Sequence, residues 1–90
     1  MIVTVARVTD PDRFLEIFRT IGARKRREHG CRAARAYIDP EDTHRVWSFF
    51  DWDTRDYEGF LADPGVPAIA RELGLLTPPV HVTAAADLDA

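Results

Sequence analysis

The sequence predicts one α+β domain in which two helical regions cover one face of a four-stranded antiparallel sheet. Three observations lead to this prediction. The 90 residues are 46% apolar and 30% charged, a composition typical of one compact globular domain. Four short segments rich in β-branched or aromatic residues alternate with two stretches of helical periodicity. Residues typical of turns and helix ends separate these segments, so the expected order is strand, helix, strand, strand, helix, strand.

The first third of the chain is predicted to be a strand followed by one helix. Residues 2–8 form a short run rich in β-branched side chains, which favours a strand. Asp10 and Pro11 then offer a helix N-cap and a proline at the first helical position. Because Gly30 stands where a left-handed residue ends a helix, we expect a single helix that ends near His29. Its apolar stripe consists of Phe14, Ile17, Phe18 and Ile21.

The central segment is predicted to be a β-hairpin. Residues 32–38 alternate weakly in polarity and read as its first strand. The sequence Asp-Pro-Glu-Asp at 39–42 places a proline at the second position of a type I turn. The returning strand, residues 45–52, is the most apolar and the most aromatic element of the chain. The hairpin therefore supplies the second and third strands of the sheet.

The last third is predicted to be a broken helix followed by a strand. Thr54 is the expected N-cap, and the Asp-Pro pair at 63–64 breaks the helix and restarts it. Gly74 ends the second part, and residues 79–83 form the last strand. The first part of this helix carries an apolar side made of Tyr57, Phe60 and Leu61.

The order of the elements is the βαββαβ pattern of ferredoxin-like α+β folds. No linker or low-complexity segment interrupts it. We therefore expect a single domain over residues 1–86, followed by a loose C-terminal tail over residues 87–90.

Charge and residue counts exclude several classes of function. With 12 basic and 15 acidic residues, the net charge of −3 offers no general attraction for nucleic acid or an anionic membrane. One cysteine cannot form an intrachain disulfide, and the three histidines are too dispersed for a paired metal site. No segment reaches the roughly 20 apolar residues of a membrane span, and no export signal is visible. We expect a cytoplasmic protein without a metal or other cofactor, and without a nucleic acid or membrane partner.

The third strand carries large aromatic side chains on both of its faces. One face holds Val46, Ser48, Phe50 and Trp52, and the other holds Arg45, Trp47, Phe49 and Asp51. Since the helices cover only one face, Trp47 and Phe49 would expose about 300 Å² of apolar surface, near the largest patch that a monomer tolerates. We therefore predict a homodimer that packs through the open sheet faces. The alternative is a monomer in which the hairpin itself partly covers Trp47.

The turn and strand sequences resemble a known family. They comprise Gly-Cys at 30–31, Asp-Pro-Glu-Asp at the hairpin, Phe-Phe-Asp-Trp-Asp-Thr at 49–54 and Asp-Tyr-Glu-Gly-Phe-Leu-Ala-Asp-Pro at 56–64. In this pattern the chain resembles the antibiotic biosynthesis monooxygenase family, a branch of the dimeric α+β barrel superfamily. The resemblance implies a cavity between sheet and helices in each subunit of a homodimer. An aromatic or polyketide-like molecule would bind there and be oxygenated or cyclised without metal or flavin.

The resemblance also implies roles for individual residues. Trp52 and Tyr57 match a tryptophan at the end of the third strand and a tyrosine in the following helix of some members. Ser48 stands where those members carry an asparagine, and this chain contains neither Asn nor Gln. Ser48, Trp52 and Phe60 are thus the candidate substrate-binding residues. Tyr57 and His81 are the candidate catalytic residues, with His81 as the proton acceptor.

Each of these residues also has a purely structural explanation. Trp52, Tyr57 and Phe60 are equally expected in a hydrophobic core. A histidine hydrogen-bonded at the sheet surface or in the dimer interface is the more frequent situation for His81. The basic run at residues 24–27 is best explained as a solvated helix end, because cations there complement the helix dipole.

Two functions remain open at this point. The first is a cofactor-independent monooxygenase or cyclase, and the second is a non-catalytic ligand-binding or structural dimer. The cavity volume distinguishes them, since a volume below the roughly 300 Å³ of ordinary ligand pockets argues against the enzyme. Haem is not expected, because residues 54–73 contain no histidine like the one that haem-degrading relatives carry on the second helix.

Overall fold

The structure is a computed structural model that describes residues 1–83. The predicted tail over residues 87–90, and the predicted end of the domain at residue 86, lie outside the described residues. The elements are β1 (Ile2–Arg7), α1 (Pro11–Arg19), α2 (Ile21–Glu28), β2 (Ala33–Asp39), β3 (Asp42–Asp51), α3 (Thr54–Leu61), α4 (Val66–Glu72) and β4 (Val80–Val82).

The strands of the described chain form one antiparallel sheet in the order β2-β3-β1-β4. β1 lies in its interior, paired with β3 on one side and with the short β4 on the other. β2 and β3 pair regularly from Ala33 opposite Asp51 to Ile38 opposite Val46, and the register shifts between Ile38 and Asp39 just before the tight turn. This connectivity and order confirm the predicted ferredoxin-like α+β fold.

The first helical region is two helices, so the prediction of one continuous helix is wrong. Asp10 caps α1 as predicted, since its side chain accepts hydrogen bonds from the backbone amides of Asp12 and Arg13. At Thr20 the backbone leaves the helical region (φ −111°, ψ −99°), and the Thr20 hydroxyl donates to the Glu16 carbonyl at 2.7 Å. Such side-chain bonding to the preceding turn bends and interrupts helices. The region therefore consists of two helices, α1 before Thr20 and α2 after it.

The other helix ends lie within a residue or so of their predicted positions. Gly30 and Gly74 both adopt positive φ angles, 81° and 71°, just after α2 and α4 end. The predicted break between α3 and α4 is confirmed, and Asp63 in that break accepts a backbone amide hydrogen bond at 2.7 Å. The N-cap of α3 is Asp53, one residue before the predicted Thr54. No helix within residues 1–83 is long and apolar enough to cross a membrane.

The side chains of β3 alternate between a helix-covered face and an open face, as predicted. The covered set is buried and consists of Val46, Ser48 and Phe50, followed just after the strand by Trp52. Trp47 and Phe49 lie on the opposite face and are half-buried. In the register of the sheet they stand beside Val5 and Val3 of β1. The open face therefore carries a continuous apolar strip across its middle.

The core lies between the covered face of the sheet and the helices, in two adjoining clusters. The first cluster contains Ile2, Phe50, Trp52 and Tyr57, with Phe18 and Phe60 packed against it. The second contains Val8, Phe14 and Val46, with Leu73 and Leu75 at its edge. Side chains from both clusters also line a cavity between the sheet and the helices.

Candidate functional site

A cavity of about 120 Å³ lies between the covered face of the sheet and the helices. This volume is well below the roughly 300 Å³ of ordinary ligand pockets. It is closer to the about 150 Å³ of an apolar cavity that holds one benzene molecule. A single aromatic ring matches this size, whereas a polyketide-like ring system exceeds it. The walls are mainly apolar, and the polar residues among them are Thr4, Arg26, Ser48 and Tyr57.

The sheet register places three polar side chains in one row on the helix side. Ser48 of β3 stands opposite Thr4 of β1, and Thr4 stands opposite His81 of β4. Thr4 and Ser48 are buried, with 6% and 4% of their surface exposed, whereas His81 is exposed at the edge of the sheet. Thr4 was not among the predicted site residues. Its signal was a polar residue at an inward-facing position of β1, two residues after the apolar Ile2.

Tyr57 of α3 closes the cavity above this row. Only 6% of Tyr57 is exposed, and its ring contacts those of Trp52 and His81, at centroid distances of 5.3 and 5.6 Å. Burial raises the pKa of the Tyr57 hydroxyl. The hydroxyl therefore stays protonated at neutral pH and is available as a hydrogen-bond donor. The two predicted catalytic residues, Tyr57 and His81, thus lie side by side.

The hydroxyls of Thr4, Ser48 and Tyr57 have no hydrogen-bond partner within residues 1–83. Every fully buried side-chain nitrogen or oxygen in that part of the chain has a partner. These three hydroxyls therefore border the open space of the cavity rather than tightly packed protein. The three hydroxyl oxygens are therefore not fully enclosed by protein. They are available to bond water or a ligand in the cavity.

Trp52 and Phe60 belong to the core, as their structural explanation expects, and both also line the cavity. The Trp52 indole Nε1 donates to the His29 carbonyl at 2.7 Å, which commits its one N–H group to the protein. The Phe60 ring lies 5.0 Å from the Trp52 ring, in edge-to-face geometry. Both rings line the cavity. They offer a ligand apolar contact and no hydrogen bond.

Arg26 is buried and lines the cavity, so the prediction of a fully solvated helix end is wrong at this position. Only 8% of Arg26 is exposed, whereas Arg24 and Arg27 are exposed as predicted. Its guanidinium lies over the Phe18 ring, 4.0 Å from the centroid, and Nη2 donates to the Phe18 carbonyl at 2.8 Å. The signal in the sequence was Gly22, one helical turn earlier, which leaves room for the guanidinium.

A charged cluster ties the segment between α3 and α4 to α2. Oδ2 of Asp63 lies 2.8 Å from Nε2 of His29 and 3.2 Å from Nζ of Lys25. The hydrogen bond from His29, together with a backbone amide, lowers the pKa of Asp63 to about 2. Since the carbonyl of His29 also holds Trp52, this cluster positions one wall of the cavity.

Side chains that could bind a metal do not cluster in the described part of the chain. Within residues 1–83, no three His, Cys, Asp or Glu side chains converge as metal ligands would. Cys31 is a half-buried free thiol beside Arg26. Burial raises the pKa of this thiol, so it is neutral at pH 7. The chemistry of the cavity is therefore carried by hydroxyls, rings and one guanidinium.

The fold and the cavity together define a ferredoxin-like α+β domain with a small internal site. The chain is similar to the crystal structure of an antibiotic biosynthesis monooxygenase, with a TM-score of 0.65 over 97% of both chains and 18% sequence identity. No family model and no curated protein matches the sequence. The structural similarity confirms the fold that the resemblance implied, and at this identity it bears on the fold alone.

Proposed function

We propose that the protein is a homodimer whose subunits each bind one small molecule with a single aromatic ring and a hydroxyl group. The observation that carries this proposal is that the hydroxyls of three buried residues, Thr4, Ser48 and Tyr57, border a cavity of about 120 Å³ without a partner in the described chain. The polar group of the ligand would bond these hydroxyls while its ring contacts Trp52 and Phe60. This is the ligand-binding alternative of the sequence analysis, restricted to one ring by the cavity volume.

Calorimetric titration with phenol and catechol tests the binding step. We expect saturable binding to the wild type, and about fivefold weaker binding to Tyr57→Phe and to Ser48→Ala, because each variant loses one neutral hydrogen bond. Tyr37→Phe is the matched control, since it removes the same atom from the open face of the sheet. Absence of binding to the wild type, or equal loss of affinity in the control, would contradict the proposal.

The dimer is proposed from the open face of the sheet. The hairpin covers this face only in part, since Trp47 donates its Nε1 to Asp39 Oδ2 at 2.9 Å and the Tyr37 ring meets Phe49 edge-on at 5.5 Å. Tyr37 is still 51% exposed. A groove of about 610 Å³, lined by Trp47, Phe49 and Tyr37 among others, runs along the same face. A second copy of the sheet would cover this apolar surface.

Sedimentation equilibrium at micromolar concentration tests the dimer. The wild type should show twice the 10.2 kDa mass of one chain. Val5→Lys places a charge in the middle of the open face, and should give the mass of one chain. Ala68→Lys adds the same charge to an exposed position of α4 and should remain dimeric. A wild type that sediments as one chain at this concentration would remove the dimer from the proposal.

The cavity of about 120 Å³ is below the volume set for an enzyme of polyketide-like ring systems, which argues against that activity. A second candidate function is therefore limited to oxygenation of a bound single-ring phenol, favoured by the contact between Tyr57 and His81. A phenol oxidised to a quinone by O₂ gains one oxygen atom and loses two hydrogens, and the second oxygen atom leaves as water. Such a reaction needs a proton acceptor. His81 does not line the cavity, but its ring contacts Tyr57, which does, so a proton from the bound phenol would reach His81 through the Tyr57 hydroxyl.

Oxygen uptake with single-ring phenols and hydroquinones tests the second candidate. We expect uptake above the spontaneous rate with the wild type, and a loss of about tenfold or more in both His81→Ala and Tyr57→Phe. His44→Ala is the control, because His44 lies at the start of β3 and bonds the Val8 carbonyl. If the wild type binds phenols without oxygen uptake, the protein is a binding protein and this candidate fails.

A further inference from the structure

Arg26 is a buried cation without an acidic partner in the described part of the chain. The ion pairs of residues 1–83 leave it out, and its neighbour Lys25 takes both Glu28 and Asp63. The hydrogen bond of Arg26 within this region goes to a backbone carbonyl, that of Phe18. A buried guanidinium offers five N–H donors, so donors remain for another group.

The surroundings of Arg26 do not neutralise its charge. Its guanidinium lies 4.0 Å from the Phe18 ring centroid and 5.7 Å from that of Phe50. Cys31 lies beside Arg26, and burial raises the pKa of its thiol, so this group is neutral at pH 7. Burial lowers the pKa of Arg26 to about 10, which still leaves it protonated. An uncompensated buried charge is costly, and an anion that pairs with it recovers this cost.

The lining of the cavity defines the kind of anion that fits. Arg26 is the one charged residue among the described residues that line it, and the other lining residues are apolar or carry hydroxyls. One cation matches one negative charge, which favours a carboxylate over a doubly charged phosphate ester. The planar fork of a guanidinium also matches a carboxylate in two parallel hydrogen bonds. The apolar walls and the volume of about 120 Å³ restrict the remainder of the molecule to one ring.

We propose that Arg26 makes this cavity selective for a singly charged aromatic carboxylate, of the hydroxybenzoate class. The carboxylate pairs with Arg26 at one end of the cavity, and the phenolic hydroxyl bonds the group formed by Thr4, Ser48 and Tyr57. This inference rests on the proposed binding function, because it names the ligand class of the same cavity. It adds a charge requirement that the hydroxyls alone do not impose.

Calorimetric titration with two matched probes tests the charge requirement. The probes are 4-hydroxybenzoate and 4-hydroxybenzyl alcohol, which share the ring and the phenol and differ in the charged group. The wild type should bind the carboxylate about tenfold or more tightly than the alcohol. Arg26→Met should abolish this preference and leave the alcohol bound. Arg24→Met makes the same charge change at an exposed site of the same helix, and should behave as the wild type.

The outcomes separate this inference from the proposed function. If the wild type binds both probes with equal affinity, the charge requirement is overturned and the binding function stands. If neither probe nor phenol binds, both proposals are overturned. The comparison of the two probes in the wild type needs no variant, so a folding defect in Arg26→Met leaves the inference testable. Arg26→Lys, which keeps the charge and loses the planar fork, should retain part of the preference.

Discussion

Removal of an unpaired cavity hydroxyl should leave the ligand-free protein as stable as the wild type or slightly more stable. Thr4→Val and Ser48→Ala each delete a hydroxyl with no partner in the described chain, at positions that are only 6% and 4% exposed. Since no fully buried polar atom of residues 1–83 lacks a partner, these hydroxyls face the cavity, where water can bond them, and their removal changes stability little. We expect each variant to gain about 0–1 kcal/mol in free energy of unfolding. Typical core substitutions lose about 0.5–3 kcal/mol instead.

Urea unfolding followed by far-ultraviolet circular dichroism measures these changes. The titrations need one fixed protein concentration, because dimerisation makes apparent stability depend on it. The same variants should lose affinity for phenol, so stability and binding are expected to change in opposite directions. A loss of more than about 1 kcal/mol in both Thr4→Val and Ser48→Ala would show that the hydroxyls are paired in the folded protein. The basis of the binding site would then be refuted.

Three further substitutions test the structure around the cavity. Asp63→Asn removes a carboxylate whose pKa falls from 3.8 to about 2 on folding, so its stabilising effect is present above pH 3.8 and is lost as the pH falls through about 2. The variant should be less stable than the wild type in urea at pH 7, and the difference should disappear near pH 2; a pH-independent difference would contradict this. Gly22→Ala places a Cβ 2.9 Å from the Ile17 carbonyl oxygen and should lower the calorimetric melting temperature by about 4–8 °C; an unchanged value would show that the backbone yields. Trp52→Phe loses the hydrogen bond to the His29 carbonyl and part of a buried ring, and should cost about 2–4 kcal/mol in urea unfolding; a cost under about 0.5 kcal/mol would contradict its place in the core.

The fold could be predicted from the sequence because strand and helix periodicities, caps and turns agree with one another. Several features depend only on neighbouring residues, namely the hairpin turn, the cap at Asp10 and the glycines after α2 and α4. Such local preferences agree with the final fold, so they could be predicted from the sequence. The break at Thr20 was missed because no proline or glycine occupies the break itself, and Gly22 lies within α2. It depends on a hydroxyl that bonds the preceding turn, a choice that many threonines in helices do not make.

The candidate site was only partly predictable, because cross-strand register decides which side chains meet. Alternation along β3 predicted that Ser48 shares a face with Phe50 and Trp52, and the resemblance pointed to Tyr57. The row from Ser48 through Thr4 to His81 depends on the pairing of three strands, which the sequence does not state. Arg26 was missed for a different reason. Within a run of four basic residues, composition favours exposure, and only the packing of α2 shows which member of the run is turned inward.

The distribution of polar groups distinguishes a ligand site from a simple packing defect. A void left by imperfect packing is lined by apolar atoms and stays dry, and its cost rises with its volume. This cavity instead collects the uncompensated buried guanidinium of Arg26 and the unpaired hydroxyls of Thr4, Ser48 and Tyr57. Removal of the Thr4 and Ser48 hydroxyls is expected to leave the ligand-free protein at least as stable as the wild type. Polar residues that lower stability at one place in an otherwise consistent fold are expected where a bound molecule satisfies them.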